Sequence, residues 1–233
     1  GQRTVITDAA GLVTRYGYDD AGRLITTTVG AEVQGSGGVG ERVTVNEYDD
    51  GGNLVRIVRN YLPGHPQNHY IPPVGGSEGG HYNLVTEYGY DAAGRWVVTT
   101  DTVGAVSRSE YDTAGRLVRS WQNYRPGYPQ NYQDTYNLVT EYGYDEGDLQ
   151  SLGRQTLVTD TLGHVTYTEY DSLGRVARTW RNYLPDHPQN YVGEDGSIYN
   201  QVTAHGYDAV GNQVLVTDTL GHVTFTEYDA LNR

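Results

Sequence analysis

A six-residue motif, Tyr-Asp-x-x-Gly-Arg or a close variant, recurs along the whole chain of 233 residues. Clear copies begin at Tyr18, Tyr48, Tyr90, Tyr111, Tyr170 and Tyr207. Tyr144 opens a copy with extra residues before Gly153-Arg154, and Tyr228 opens one in which Asn232 replaces the glycine. Repetition at this density predicts an array in which each unit packs on its neighbours rather than around one large globular core.

The motif has the composition of a tight turn between two β-strands. The Asp carboxylate can accept hydrogen bonds from nearby backbone N–H groups, and Gly supplies the positive φ that closes a hairpin. Four further Asp-x-x-Gly segments lack the Tyr and begin at Asp8, Asp101, Asp160 and Asp218. The residues between turns are rich in Val, Thr and Tyr, which favour strands. We therefore predict an all-β fold of tandem antiparallel hairpins that form a long spiralling sheet, shell or tube.

The repeated Tyr, Asp and Gly are expected to be structural residues. They are Tyr18, Asp19, Gly22, Tyr48, Asp49, Gly52, Tyr90, Asp91, Gly94, Tyr111, Asp112, Gly115, Tyr144, Asp145, Tyr170, Asp171, Gly174, Tyr207, Asp208 and Gly211.

A longer repeat overlies the first. Asn-Tyr-x-Pro-x-x-Pro-Gln-Asn occurs at residues 60–68, 123–131 and 182–190. Proline is excluded from central strands, so each copy is predicted to be a loop or edge excursion, and Gly35–Gly38 and Pro72–Gly76 are predicted to be surface insertions. The chain is interpreted as a single array over residues 1–233, part of a longer protein, with super-repeats at 18–89, 90–143, 144–206 and, in part, 207–233.

The composition excludes several classes of function. The chain has 16 basic and 29 acidic residues, for a net charge of −13, which disfavours nucleic acid as a partner. It has no cysteine, so disulfides and thiolate metal sites are excluded. No apolar run is long enough for a membrane helix. Phe occurs once and Tyr 22 times, so the buried surface is expected to consist of Tyr rings, β-branched residues and Arg stems.

The motif resembles the YD repeats of the Rhs family, which includes bacterial Rhs toxins, the shell component of insecticidal toxin complexes, and teneurins. Residues 90–95, 111–116 and 170–175 match it most closely. The resemblance implies hairpins strung into a spiralling sheet, which in bacterial members encloses a toxin. It implies structural roles for Tyr and Asp and no catalytic residue. The Asp-Pro motif of the family's autoproteolytic segment is missing from this sequence.

Catalysis by a carboxylate, calcium binding and zinc binding are the three alternatives to purely structural roles for the acidic and histidine residues. A catalytic carboxylate is disfavoured, because Asp recurs in every turn as a capping residue does. Calcium at the acidic turns Asp49–Asn53 or Asp145–Asp148 is an alternative to solvated turns, although neither fits an EF-hand loop. Zinc at His65, His69 and His81 is disfavoured by Pro66. His164 and His222 hold equivalent places after a turn glycine, which predicts a packing role. We therefore predict no cofactor, with calcium as the exception.

The Pro-containing loops allow two interpretations. Tyr61, Tyr124 and Tyr183, with neighbouring amides, could contact glycans or a partner. They could equally dock the loop against the neighbouring repeat.

The sequence thus favours a non-enzymatic structural segment of a large extracellular or cell-surface protein, building a shell or scaffold of Rhs type. The alternatives are a self-assembling filament and an adhesin that binds glycans or cells through its loops. The expected partners are neighbouring repeats, copies of the same chain or an enclosed toxin domain, and glycans.

Overall fold

The computed structural model describes residues 2–31, 41–71, 80–145 and 153–233. The insertions predicted at Gly35–Gly38 and Pro72–Gly76 lie outside the described residues. Within these ranges the chain is all-β, as predicted, and contains no helix. Accordingly, the described part holds no helix capable of spanning a membrane.

The chain divides into two compact units, Gly1–Ser109 with Gln122–Tyr124, and Glu110–Trp121 with Arg125–Arg233. In the first, the sheet order is β1-β2-β3-β4-β5-β8-β9-β10, and β6 pairs with β7 in a separate two-stranded sheet. The strands are β1 Val5–Thr7, β2 Leu12–Tyr18, β3 Leu24–Ala31, β4 Arg42–Tyr48, β5 Leu54–Arg59, β6 His69–Ile71, β7 Gly80–Tyr82, β8 Leu84–Tyr90, β9 Trp96–Thr100 and β10 Val106–Tyr111, whose last two residues belong to the second unit.

The second unit repeats the same design. Its sheet order is β11-β12-β13-β14-β15-β18-β19-β20, and β16 pairs with β17 separately. The strands are β11 Leu117–Gln122, β12 Leu138–Tyr144, β13 Gln155–Thr159, β14 Val165–Tyr170, β15 Val176–Arg181, β16 Tyr191–Val192, β17 Ile198–Tyr199, β18 Gln201–Tyr207, β19 Gln213–Thr217 and β20 Val223–Phe225. The predicted antiparallel meander is confirmed in both units.

A register shift accompanies the motif tyrosines. In β14 against β15, Glu169 faces Arg178 but Tyr170 faces Val176, so one residue of β15 bulges out. Gly174, in the turn between the two strands, has φ +81°. A turn closed by a left-handed glycine beside a bulge is a common hairpin geometry, and it twists the strands strongly. The same shift occurs at Tyr18, Tyr48, Tyr90, Tyr144 and Tyr207.

Successive turns alternate between the two ends of the strands, because each strand reverses direction. In each unit one end, the Tyr-Asp end, carries the Tyr-Asp turns. The other end, the loop end, carries the Asp-x-x-Gly turns that lack Tyr and the Pro-containing loops. Within a unit, the uniform turns and the variable loops are therefore kept apart.

Few of the described residues are buried. The apolar ones are Val13, Val58, Val85, Trp121, Val139 and Val202, and the polar ones are Asn83, Asn137 and Asn200. Of the expected Tyr rings, β-branched residues and Arg stems, the β-branched Val residues supply most of this buried set, whereas the motif tyrosines from Tyr18 to Tyr207 are only half-buried. Val is buried instead because it lies in central strands directly across from other apolar residues, as Val58 does between Val45 and Val85.

Candidate functional site

Each Tyr-Asp turn is built around the two oxygens of its carboxylate. In the turn at Asp171, Oδ1 accepts from the backbone N–H of Leu173 and of Arg175, both at 2.9 Å. Oδ2 accepts from Nε of Arg175 at 2.7 Å. The N–H of Gly174 donates to the Asp171 carbonyl at 2.9 Å. The residue after the glycine therefore contributes both its backbone and its side chain to the turn.

The other predicted Asp residues have the same arrangement. The side-chain donor to Oδ2 is Arg at Asp19, Asp91, Asp112, Asp145 and Asp229, and Asn at Asp49 and Asp208. The motif glycines Gly22, Gly52, Gly94, Gly115, Gly174 and Gly211 all have positive φ. The extended copy at Tyr144 keeps this geometry, because Arg154 donates to Asp145 through its backbone N–H at 2.6 Å.

Two of the four Asp-x-x-Gly turns on the loop end, those at Asp160 and Asp218, use histidine for the same purpose. Nδ1 of His164 lies 3.1 Å from Oδ2 of Asp160, and Nδ1 of His222 lies 2.9 Å from Oδ2 of Asp218. Both side chains are exposed. The predicted packing role for these histidines was therefore wrong: they replace the arginine of the Tyr-Asp turns. The signal in the sequence was their position directly after the turn glycine.

The motif tyrosine joins its own hairpin to the preceding Tyr-Asp turn. The hydroxyl of Tyr170 donates to the Gln155 carbonyl at 2.8 Å, and the guanidinium of Arg154 lies 4.9 Å from the centre of its ring. Gln155 follows Arg154 directly, so ring and hydroxyl engage adjacent residues. We call this pair of contacts the Tyr–Arg lock. Full locks of this kind also occur for Tyr48 on Arg23, Tyr144 on Arg116 and Tyr207 on Arg175.

The remaining motif tyrosines keep part of this arrangement. Tyr90 donates to the Leu54 carbonyl at 2.8 Å, where Asn53 replaces the arginine. Tyr18 donates to the Arg3 carbonyl at 3.0 Å. Tyr111 ends β10, and Asp112 begins the turn that follows it. A cation against an aromatic face contributes about 0.5–1 kcal/mol at exposed sites, so the lock stabilises through its repetition.

Hydrogen bonding holds the turn carboxylates in the ionised form. The backbone N–H of Arg175 is the main cause that lowers the pKa of Asp171, and the side chain of His222 is the main cause that lowers the pKa of Asp218. Both oxygens of each carboxylate are already used within the turn. A carboxylate that stays ionised at neutral pH and accepts hydrogen bonds from its own turn has the chemistry of a turn cap.

The residues considered for metal binding are also engaged with neighbours. Asn53 donates to both oxygens of Asp49, while residues 146–148 lie outside the described ranges. The rings of His65 and His69 are stacked with centroids 4.9 Å apart, and His81 packs against Tyr70 at 4.8 Å. Across the described residues, no group of three or more His, Asp or Glu is arranged to hold a metal ion.

The Pro-containing loops are organised by three buried asparagines that follow them. Asn200 Oδ1 accepts from the Leu184 N–H at 2.8 Å, and its Nδ2 donates to the carbonyls of Leu184, His187 and Pro188 at 2.9–3.3 Å. Asn83 and Asn137 make the equivalent sets of bonds in the other two loops. All three adopt a left-handed conformation, with φ of 51–55°. One amide thus fixes four backbone groups of each loop.

The three loop tyrosines make the same backbone hydrogen bond, but their rings pack differently. The N–H of Tyr61, Tyr124 and Tyr183 donates to the carbonyl of Val43, Val106 and Val165 at 2.7–2.8 Å. The ring of Tyr183 lies 4.8 Å from Tyr167 and 6.1 Å from Trp180. The guanidinium of Arg108 lies over Tyr124 at 5.3 Å. The Tyr61 ring is 43% exposed.

A family model for the RHS repeat matches residues 1–32, the segment that contains the first Tyr-Asp turn. Residues 1–32 therefore carry a segment similar to the RHS repeat. The recognition made from the motif alone is thereby confirmed. A curated relative, double-stranded DNA deaminase toxin A of Burkholderia cenocepacia (strain H111), is 28% identical over 155 residues. That alignment covers 60% of this chain and 10% of the relative.

Solved structures share the fold of this chain. The TcdB2-TccC3-Cdc42 crystal structure matches with a TM-score of 0.58 and 15% identity, covering 100% of this chain and 12% of that chain. TcdB2-TccC3 without its hypervariable C-terminal region matches at 0.53, with 16% identity over 94% of this chain and 11% of the other. The Photorhabdus luminescens Tc holotoxin pore with the TccC3-D651A mutation matches at 0.52, with 15% identity and the same coverage.

The chain thus spans about a tenth of the length of the proteins it matches. For the chain itself, these findings support a structural scaffold of Rhs type. The Tyr–Arg lock and the asparagine-organised loop are the two devices that build it, and neither was recognised in the sequence.

Proposed function

We propose that this chain is a non-catalytic wall segment of a shell in a large secreted or cell-surface protein, and that the wall encloses another polypeptide. The observation that carries the proposal is the Tyr–Arg lock. Each lock ties one Tyr-Asp turn to the preceding one, so a sheet built this way extends by repetition without a globular core. The fold shared with the TcdB2-TccC3 structures supports the same conclusion.

Charge and turn chemistry agree with a passive wall. The turn carboxylates have a lowered pKa and both oxygens engaged, so they serve the backbone rather than a substrate. The net charge of −13 is largely one acid per turn. An enclosed partner would therefore meet an acidic surface in which many turn carboxylates already accept hydrogen bonds from Arg, Asn or His.

Electron micrographs of the native protein that contains this sequence would test the proposal. We expect closed hollow particles, with a second polypeptide that becomes sensitive to protease only after the particles are opened. Long fibres would refute the shell and support the filament hypothesis. Particles that are closed but empty at every stage of purification would contradict the enclosing role.

A recognition role for the Pro-containing loops is the second candidate, because their tips carry paired aromatic rings. His187 stacks on Tyr191 with centroids 4.3 Å apart, and Tyr128 packs on Tyr132 at 5.0 Å. Tyr70 and Tyr128 are 52% and 43% exposed. We expect the purified protein to bind glycans on an array, and we expect this binding to be lost when Tyr70 and Tyr128 are replaced by Ser without loss of folding. An array on which the protein binds no glycan would refute this role.

A further inference from the structure

Each Pro-containing motif ends in Gln-Asn, and the next turn at the loop end begins with Asp-Thr in all three cases. The Gln-Asn pairs are Gln67-Asn68, Gln130-Asn131 and Gln189-Asn190, and the threonines of the corresponding turns are Thr102, Thr161 and Thr219. We call each Gln-Asn pair a strap. The sequence therefore offers the same two sets of polar groups, strap and turn threonine, at three places along the chain.

In the third loop the strap is bonded to the turn threonine. Nδ2 of Asn190 donates to the Thr219 carbonyl at 2.9 Å, and the Thr219 hydroxyl donates to Asn190 Oδ1 at 2.6 Å. Nε2 of Gln189 donates to the same carbonyl at 3.4 Å. This closed strap ties the third loop to the β19–β20 hairpin through one threonine.

In the first two loops the strap asparagine bonds instead to the strand that follows its own loop. The Val85 N–H donates to Asn68 Oδ1 at 3.2 Å, and the Val139 N–H donates to Asn131 Oδ1 at 2.9 Å. We call this arrangement the open strap. In the third loop the corresponding N–H, that of Val202, donates to the Thr219 hydroxyl at 3.3 Å. Closing the strap thus inserts the threonine hydroxyl between the valine N–H and the asparagine.

The backbone next to the strap differs in the same sense. The N–H of Asn68 and of Asn131 each donates at 2.9 Å to the carbonyl of the buried asparagine after its loop, whereas the corresponding bond from Asn190 to Asn200 is 3.3 Å long. The ladder between β18 and β19 begins at Ala204 and Thr217, so the Val202 N–H lies just beyond it and is free to bond to either strap or turn.

The open and closed arrangements exchange hydrogen bonds with little change in buried apolar surface. Closing adds the Asn190–Thr219 bonds, gives up the direct bond from valine to asparagine, and lengthens one backbone bond. Asn190 is exposed, so water can replace the partners that are lost in either direction. Such an exchange leaves two states close in free energy, both of which are populated.

We propose that the strap is a reversible brace between successive super-repeats, closed in the third loop and poised to close on Thr102 and Thr161 in the first two. Closing joins the loop of one super-repeat to the hairpin that follows it, and so determines how firmly that hairpin is held. The inference does not depend on the proposed wall function, because each strap and its threonine lie within one compact unit.

Cysteine pairs in the full chain test whether the straps close, because the chain has no cysteine of its own. The pairs replace Asn190 and Thr219, Asn68 and Thr102, or Asn131 and Thr161, and the three asparagines have similar φ of 50–56°. Under mild oxidation we expect a disulfide in all three. The first two loops should form it about tenfold or more slowly than the third, since their closed form is the minor state.

The control pair is Asn68→Cys with Val103→Cys, one residue beyond Thr102 and 85% exposed, which should form no disulfide in the same time. If neither the first nor the second strap forms a disulfide with its threonine position, those straps do not close and the proposal is overturned. Equal rates for the control and the Asn68–Thr102 pair would show general loop mobility, which also overturns it. A folded chain whose third pair does not react would exclude the closed strap.

Hydrogen exchange provides a second measurement without cysteines. Thr219→Val removes the hydroxyl at nearly unchanged shape, and we expect the amides of the β19–β20 hairpin to exchange about fivefold faster, the equivalent of one ordinary hydrogen bond. Thr161→Val is the matched control, because its strap is open, and the β13–β14 hairpin should exchange as before. Equal changes in the two variants, or no change in either, would overturn the brace.

Discussion

Asn200 is the residue whose replacement should reveal most about the Pro-containing loops. It is 1% exposed, and its side chain holds one backbone N–H and three carbonyls. In Asn200→Ala the Leu184 N–H loses its acceptor while still covered, which costs about 2 kcal/mol. Alanine at φ 55° adds about 1 kcal/mol of backbone strain. The sum of about 3 kcal/mol corresponds to a lower Tm by about 6–12 °C.

The assay is thermal unfolding followed by circular dichroism, combined with hydrogen exchange of the Tyr183 and Leu184 amides. Asn190→Ala is the matched control, because Asn190 has φ 56° in the same loop but is exposed. It should cost less than about 2 kcal/mol. Asn200→Asp keeps the acceptor but places a carboxylate against carbonyl oxygens, so it should be at least as damaging as Asn200→Ala. Equal loss in Asn190→Ala and Asn200→Ala, or a tolerated Asn200→Asp, would refute the reasoning.

Three further predictions concern the turns. Tyr170→Phe removes the hydrogen bond to the Gln155 carbonyl and should lower stability by about 1 kcal/mol in urea unfolding, with Tyr16→Phe as a control outside the motif; an unchanged midpoint would contradict the lock. Gly174→Ala places a Cβ at φ +81° and should cost about 1–2 kcal/mol, whereas Gly89→Ala, without positive φ, should show no such strain; equal effects would exclude a conformational cause. Folding lowers the pKa of turn Asp residues such as Asp91, Asp112 and Asp171, so their stabilisation is complete above the unfolded value of about 4 and is lost as pH falls through the folded values. The Tm should therefore fall progressively below about pH 4, and a Tm that is constant from pH 7 to pH 2 would refute this.

The fold could be predicted because its information is local. An Asp that caps a turn and a Gly at positive φ determine a hairpin within four residues, and the spacing of the turns sets strand length. The Asn–loop contacts could not be predicted in this way. Asn83, Asn137 and Asn200 each stand seven residues before a motif tyrosine, so the sequence aligns them, but their distances from the Pro-containing motif differ and nothing in the sequence shows that they contact it.

The side chain after each turn glycine was missed for a different reason. Arg23, Asn53 and His164 look unrelated as residue types, yet each donates to the Oδ2 of its turn Asp. Their shared position directly after the turn glycine was visible in the sequence, but the N–H that each places beside the carboxylate was not. The burial of Val58 and Val202 was identified only by the register of the strands.

The separation of the two strand ends has a consequence for how such a gene can change in length. Removing a single strand would move every later Tyr-Asp turn of the same unit to the loop end. The motif tyrosine of such a turn would then lie far from the arginine of the preceding Tyr-Asp turn and could not form the Tyr–Arg lock. Removing two strands together would leave each surviving turn beside an equivalent predecessor. Duplications and deletions that survive selection should therefore come in even numbers of strands, and the near-constant distance between the Pro-containing segments is the spacing that such recombination would leave behind.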